Sequence, residues 1–483
     1  MSDKNSAYKI PRVLIGAPKS GSGKTLITCA LLLALKKRNI DVMSFKCGPD
    51  YIDPMFHRSI QGIPAENLDT FFLEEKKLNN VFVDCMSEHK MAVMEGVMGL
   101  YDGLGGVRKE GSSYHLAQVT KTPVILVVDV HGMGKSMIPL IKGFIDYDND
   151  NLIRGIILNR ISSYYYDIVS REIKKEIKVP LLGYFPTDKN LSFESRHLGL
   201  IMPEEVKDIN DKLNAAAMQL EKTVNIDKLL EIASQTEDLE QIALQSESKT
   251  QNTKLNYFAD SAKISNSKNN ETLTIAVARD EAFCFYYEAN IREFEKKGIK
   301  IKYFSPLRDK EIPKDVDGLL LGGGYPELYA KELSENISMM KSIKLYIENG
   351  MPSLAECGGF MYLHDSIICE DGHEYKMMGV INGKVSFRAK LVRFGYIELE
   401  EKKPTFLGNK TKIKAHEFHY FDSDNNGESC IAIKPVSEKK WQCILEGDNY
   451  FWGFPHLYYP SAPEFVEHFV ERMILYKKQA DRN

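Results

Sequence analysis

Arg12-Val-Leu-Ile-Gly-Ala-Pro-Lys-Ser-Gly-Ser-Gly-Lys24-Thr25 reads as an apolar strand, a glycine-rich turn and the first residues of a helix. The run Val13–Ala17 has no polar interruption, which predicts a strand buried on both faces. Lys24–Lys37 then takes up helical spacing. In the turn between them, Gly21 and Gly23 allow backbone N–H groups to approach phosphate oxygens with no Cβ in the way, and Ser22 lies in the same turn. The helix N-terminus adds partial positive charge, Lys24 a full one, and the Thr25 hydroxyl a magnesium ligand. The pattern G-x-x-x-x-G-K-[ST] is incomplete, because Pro18 stands where its first glycine belongs.

Outward from this stretch, apolar runs alternate with helical patterns. Further strands are expected at Val42–Phe45, Met91–Glu95, Val124–Val128, Ile153–Leu158 and Leu181–Tyr184. Such alternation predicts a parallel sheet covered by helices on both faces, with ligands at the carboxyl ends of the strands. Residues 240–270 are Ser/Asn/Lys-rich and poor in core formers, so they read as a polar linker between a first domain, 1–239, and a second α/β domain, 271–483.

The chain has 483 residues and a net charge of −4 with both signs interspersed, which argues against nucleic acid as a partner. No signal peptide is visible at the start. The apolar stretch Leu26 to Leu35 is about half a membrane span and reads as a buried helix, so no membrane partner is expected. The eight cysteines are scattered, with no C-x-x-C pair, which fits free thiols in a reducing cytoplasm.

Two acidic clusters follow expected strands: Lys46-Cys-Gly-Pro-Asp50-Tyr-Ile-Asp53 and Glu95-Gly-Val-Met-Gly-Leu-Tyr-Asp102-Gly. Nucleotide chemistry requires carboxylates beside the metal. Asp50 and Glu95 are therefore assigned, with Thr25, to Mg²⁺ that accompanies ATP. Asp53 and Asp102 are assigned to positioning substrate or metal-bound water.

Pro352-Ser-Leu-Ala-Glu-Cys357-Gly358-Gly359 places a cysteine between a strand and a helix start, the position of a nucleophile at an elbow. The helix N-terminus there is expected to favour thiolate. The glycines of Leu319-Leu-Leu-Gly-Gly-Gly-Tyr-Pro-Glu, in particular Gly323 and Gly324, together with Gly358, are candidates for the oxyanion hole of an attack on a carboxamide. Arg388, Lys390 and Arg393 form a basic cluster that suits either a polyanionic substrate or a solvated strand face.

The turn Lys19–Thr25 resembles the deviant Walker A loop of MinD-like and dethiobiotin-synthetase-like proteins. Lys46–His57, Glu95–Gly103 and Arg196–Leu200 resemble the signature segments of the cobyrinate a,c-diamide synthase family. The second half is similar to class I glutamine amidotransferase domains of the cobyrinate/cobyrate type. This resemblance implies two α/β domains: a P-loop amide synthetase domain and an amidotransferase domain. It implies ATP, L-glutamine and a corrin-type tetrapyrrole as small-molecule partners, and a possible homodimer. It also implies that Asn159 meets the adenine and that His456 activates Cys357, with His416 and His419 as competitors. Ordinary class I enzymes carry His-Pro-Glu; here the sequence is His456-Leu-Tyr, so the group that orients the imidazole is open. The activity so implied is ATP- and glutamine-dependent amidation of the a and c acetates of cobyrinate. Rival readings are the same chemistry on Ni-sirohydrochlorin or hydrogenobyrinate, and a MinD-like nucleotide switch with an inert amidotransferase-like module.

Overall fold

The computed structural model describes residues 6–188, 203–241, 272–408 and 411–480. The chain divides into two compact units, Met1–Ala243 and Leu244–Asn483. The stretch expected as a linker lies outside the described residues except for Glu240 and Gln241, and Arg196–Leu200 lies outside them entirely.

The sheet of the first unit has seven parallel strands: β1 (Arg12–Gly16), β2 (Val42–Cys47), β3 (Ala65–Leu68), β4 (Met91–Glu95), β5 (Val124–Asp129), β6 (Ile153–Asn159) and β7 (Leu181–Phe185). Their spatial order is β3-β2-β4-β1-β5-β6-β7. Strands β1, β2 and β4 are buried along their whole length, as their apolar runs require. The edge strand β3, Ala-Glu-Asn-Leu, has no apolar run and was not anticipated.

Helix α1 spans Lys24–Lys37. It is rich in Ala and Leu, carries Lys36 and Lys37 in its last turn, and is followed by Asn39 at φ 58°. Its Ile27, Leu31 and Leu35 pack in one core with Val13, Ile15 and Val93 of the sheet. The fully buried Arg12 donates to the carbonyls of Ile10, Thr120, Lys121 and Glu237, so its charge holds the end of the unit against the sheet.

In the second unit, Lys300–Phe304, Thr274–Ala278, Gly318–Leu321, Ser353–Glu356 and Tyr450–Gly453 pair in that order as parallel strands, and Leu445–Gly447 closes the edge antiparallel. Period-2 alternation divides its side chains between two cores. Ala276, Leu319 and Ala355 enter one; Ile275, Val277, Leu320 and Leu354 enter the other. A five-stranded antiparallel sheet runs in the order Lys440–Cys443, Cys430–Ile433, Arg393–Glu401, Lys412–His419, His456–Leu457. It brings His456 into the unit by pairing it with His416.

Candidate active sites

The phosphate loop leaves the carboxyl end of β1 at the middle of the first sheet. Gly21 and Gly23 have φ of 74° and 90°, and Gly23 caps α1 in the left-handed region. The Ser22 hydroxyl donates to Lys19 O at 2.9 Å, and Asn159 Nδ2 donates to Ser22 O at 2.8 Å. A Cβ on Gly23 would lie 2.2 Å from that amide nitrogen. Asn159, at the end of β6, thus buttresses the loop, and its Oδ1 accepts from Arg160 N. Lys24 Nζ donates to Met98 O at 2.5 Å, which ties the loop to the segment after β4. In that segment Asp102 Oδ2 accepts from Gly99 N at 2.9 Å.

The register Ile15↔Glu95 and Lys46↔Glu95 sets the ends of β1, β4 and β2 side by side. Thr25 Oγ1 donates to Glu95 Oε1 at 2.7 Å. Lys46, which sequence reasoning left without a role, is the hub: its ammonium lies 2.5 Å from Asp53, 2.9 Å from Glu95 and 3.8 Å from Asp50. Its only sequence signal is a lysine at the end of an apolar strand. Burial alone would lower its pKa, but Asp53, Glu95 and Asp50 outweigh this and hold it well above its ordinary value. Burial likewise acts to raise Asp53, yet Lys46 prevails and keeps that carboxylate ionised and below its ordinary value. Burial, then Asp53, lifts Glu95 to about 7. Burial, then the neighbouring Lys46, lowers Lys24 to about 8.

Among the described residues, no set of three His, Cys, Asp or Glu side chains is arranged to hold a metal alone. Magnesium at a nucleotide site needs less, namely one or two protein oxygens with the remainder from phosphate and water. Thr25 and Glu95 fit that demand. They are adjacent hard-oxygen donors, and the second oxygen of Glu95 is buried with no hydrogen bond among the described residues. His57 lies 4.0 Å from that oxygen and is driven by burial to about 4, so it is neutral.

The second site is an elbow. Cys357 sits at φ 45°, ψ −102° between the strand Ser353–Glu356 and the helix Gly358–Leu363. This φ is costly for a residue with a Cβ. It is held by Cys357 N donating to Gly453 O at 2.8 Å and Gly359 N donating to Gly322 O at 2.9 Å. A Cβ on Gly358 would lie 3.0 Å from Gly324 N, and one on Gly324 would lie 2.1 Å from Ala282 O. The two glycine segments therefore pass at a distance that only glycine permits. The expectation of a ready thiolate fails. Burial, then Glu327, raises the Cys357 thiol above its ordinary value, and the Gly358 N–H opposes this only in part.

His456 is buried against the glycine loop, where a Cβ on Gly323 would lie 2.3 Å from its Cε1. Burial, then His416 and His419, lowers His456 to about 3, which leaves a neutral imidazole able to accept a proton. Of its competitors, His419 bonds through Nδ1 to Phe421 O at 2.6 Å and stacks on Phe454. His416 pairs across the strand with His456.

The backbone just after His456 is clamped by residues that sequence reasoning missed. Asn290 donates to Leu457 O and accepts from Tyr459 N, both at 2.8 Å. Tyr459 Oη donates to Glu356 Oε1 at 2.9 Å, and burial lifts Glu356 to about 8. The residue before the nucleophile is thus tied to the segment that carries the histidine. A lone polar residue on the buried face of the helix Glu288–Lys296 was the available signal for Asn290.

A phosphate loop on a parallel sheet, followed in the same chain by a cysteine elbow and a buried histidine that both pack against the Gly322–Gly324 segment, defines a nucleotide-binding domain joined to a glutamine amidotransferase domain. Family models agree. Residues 13–200 match the CobQ/CobB/MinD/ParA nucleotide binding domain, and residues 274–449 match the CobB/CobQ-like glutamine amidotransferase domain. The chain is 37% identical to the cobyrinate a,c-diamide synthase of Caldanaerobacter subterraneus subsp. tengcongensis, over 95% of this chain and 97% of that one. It is 37% identical to that of Listeria innocua, over 94% and 98%, and 34% identical to that of Thermoplasma volcanium, over 98% and 99%. The chain belongs to the cobyrinate a,c-diamide synthase family.

Proposed function

We propose that this chain amidates the a and c acetate carboxylates of cobyrinate, with ATP as activator and glutamine as nitrogen donor. The observation that carries this reading is the presence, in one chain of that family, of Thr25 bonded to Glu95 beside the phosphate loop and of Cys357 at a strained elbow with neutral His456. At the elbow, His456 accepts the thiol proton as Cys357 attacks the glutamine amide. The Gly358 N–H and the Gly323–Gly324 backbone face the developing oxyanion. A thioester forms, ammonia leaves, and water releases glutamate.

At the phosphate loop, Gly21–Gly23 and Lys24 hold the triphosphate, and Asn159 keeps the loop in place. Magnesium bound by Thr25 and Glu95, with Asp50 at its rim, would neutralise phosphate charge. The substrate carboxylate, itself a poor electrophile, takes the terminal phosphoryl group. Ammonia displaces phosphate from the acyl phosphate to give amide. Lys46 keeps Asp53 ionised beside this centre, and Asp102 shapes the segment that Lys24 grips.

Mass spectrometry of cobyrinate incubated with the protein, ATP and glutamine tests the proposal. Two OH-to-NH₂ exchanges are expected. No exchange on cobyrinate, with turnover of Ni-sirohydrochlorin or hydrogenobyrinate, would move the substrate assignment.

A further inference from the structure

The strand that pairs with His456 presents two different faces. Ile413, Ala415, Glu417 and His419 point into the unit and are buried. The alternate face carries His416, the Cα partner of His456, and then large rings open to water: Phe418 is 50% exposed, Phe394 59% and Tyr420 41%. These rings are one strip. Phe394 is the cross-strand partner of Phe418, with centroids 5.7 Å apart. Phe394 also meets His416 at 6.3 Å, and Phe418 meets Tyr420 at 5.9 Å. A solvated sheet face ordinarily alternates to polar residues, so a contiguous aromatic strip marks a binding surface. At its far end the Arg388 N–H donates to Tyr420 O at 2.7 Å, which fixes that loop beside the rings. Arg388 and Lys390 are exposed there, and neither forms an ion pair among the described residues.

We propose that this strip holds the flat macrocycle of the tetrapyrrole substrate, an inference that rests on the function proposed above. Ring faces stack on Phe394, Phe418 and Tyr420. Peripheral carboxylates of the macrocycle meet Arg388, which can grip one bidentately, and Lys390. An apolar partner without anionic groups would leave both cations without a counter-charge. The strip begins at the cross-strand neighbour of His456, so the macrocycle is held on the same sheet as the histidine that acts in ammonia release.

The test uses the full chain, the double variants Phe394→Ser/Phe418→Ser and Arg388→Ala/Lys390→Ala, and cobyrinate followed by its own absorbance in equilibrium dialysis without ATP or glutamine. The aromatic pair is expected to weaken binding and raise KM for the tetrapyrrole about tenfold, from two lost ring contacts. KM for glutamine and for ATP stays unchanged. The charge pair is expected to weaken binding severalfold and to flatten its salt dependence; it alters no packed group, so it tests the proposal even if the aromatic variant fails to fold. Wild-type binding with unchanged binding by both variants overturns the proposal and leaves the proposed function standing. Loss of self-association in sedimentation, with dialysis unchanged, overturns it as well. No binding of cobyrinate by the wild type removes both.

Discussion

Replacement of Gly323 by alanine isolates what holds His456 in its working position. No left-handed φ is required at Gly323, and the backbone N–H survives the substitution, so neither strain nor a lost oxyanion donor enters. The added methyl would lie 2.3 Å from His456 Cε1, where ordinary contact begins at 3.4 Å. The ring is clamped through its backbone by Asn290 and has to retreat by about 1 Å. A displacement of that size at a proton-transfer partner costs roughly 10²-fold in rate. The assay is glutamate release, run beside amidation with ammonium in place of glutamine. Gly323→Ala should lose about two orders of magnitude in glutamine-dependent kcat/KM and keep ammonium-dependent turnover. Glutamate release within threefold of wild type would refute the assignment of His456 as the base.

Cys357→Ser should abolish glutamine-dependent amidation and spare the ammonium-dependent reaction; loss of both would mean that the cysteine serves the whole fold. Glu95→Gln removes the charge facing Thr25, and magnesium-dependent ATP turnover should fall by about 10²–10³-fold, by analogy with the loss of one electrostatic stabiliser; intact turnover would dismiss Glu95 as a metal ligand. Glu356 titrates near 8 when folded against 4.5 when free, so between those values the folded state keeps a proton that the unfolded chain releases. Stability should therefore fall as pH rises through that window, by at most about 1.4 kcal/mol per pH unit from this group. Glu356→Gln can still accept from Tyr459, and urea midpoints across pH should lose that share of the slope; an unchanged slope would place the titration elsewhere.

The regular parts of both halves were legible because their signals are local. Helix α1 was expected over Lys24–Lys37 and occurs there, and Met91–Glu95 is a strand with the same bounds. The other strands of the first sheet were placed to within one or two residues, except Ala65–Leu68, whose register on β2 rather than its composition makes it a strand. The second unit is α/β as expected around Cys357, but its antiparallel sheet was not foreseen. The alternation in Lys412–His419 becomes a strand only when distant partners at 393–401 and 456–457 pair with it.

Taken alone, the order of residues determined the two chemistries: a glycine-rich turn ahead of Lys24-Thr25 has few uses other than phosphate, and a strand-Cys-Gly-Gly junction few other than a nucleophile. Tertiary structure decided the protonation states and the supports. Lys46 becomes a hub only because the ends of β2 and β4 meet at the start of α1, and Cys357 remains a thiol because burial and Glu327 outweigh the helix end. Likewise the backbone just after His456 is held by Asn290, which lies 166 residues before that histidine. Charge burial and long-range hydrogen bonds depend on three-dimensional neighbours, and no pattern read along one chain contains them.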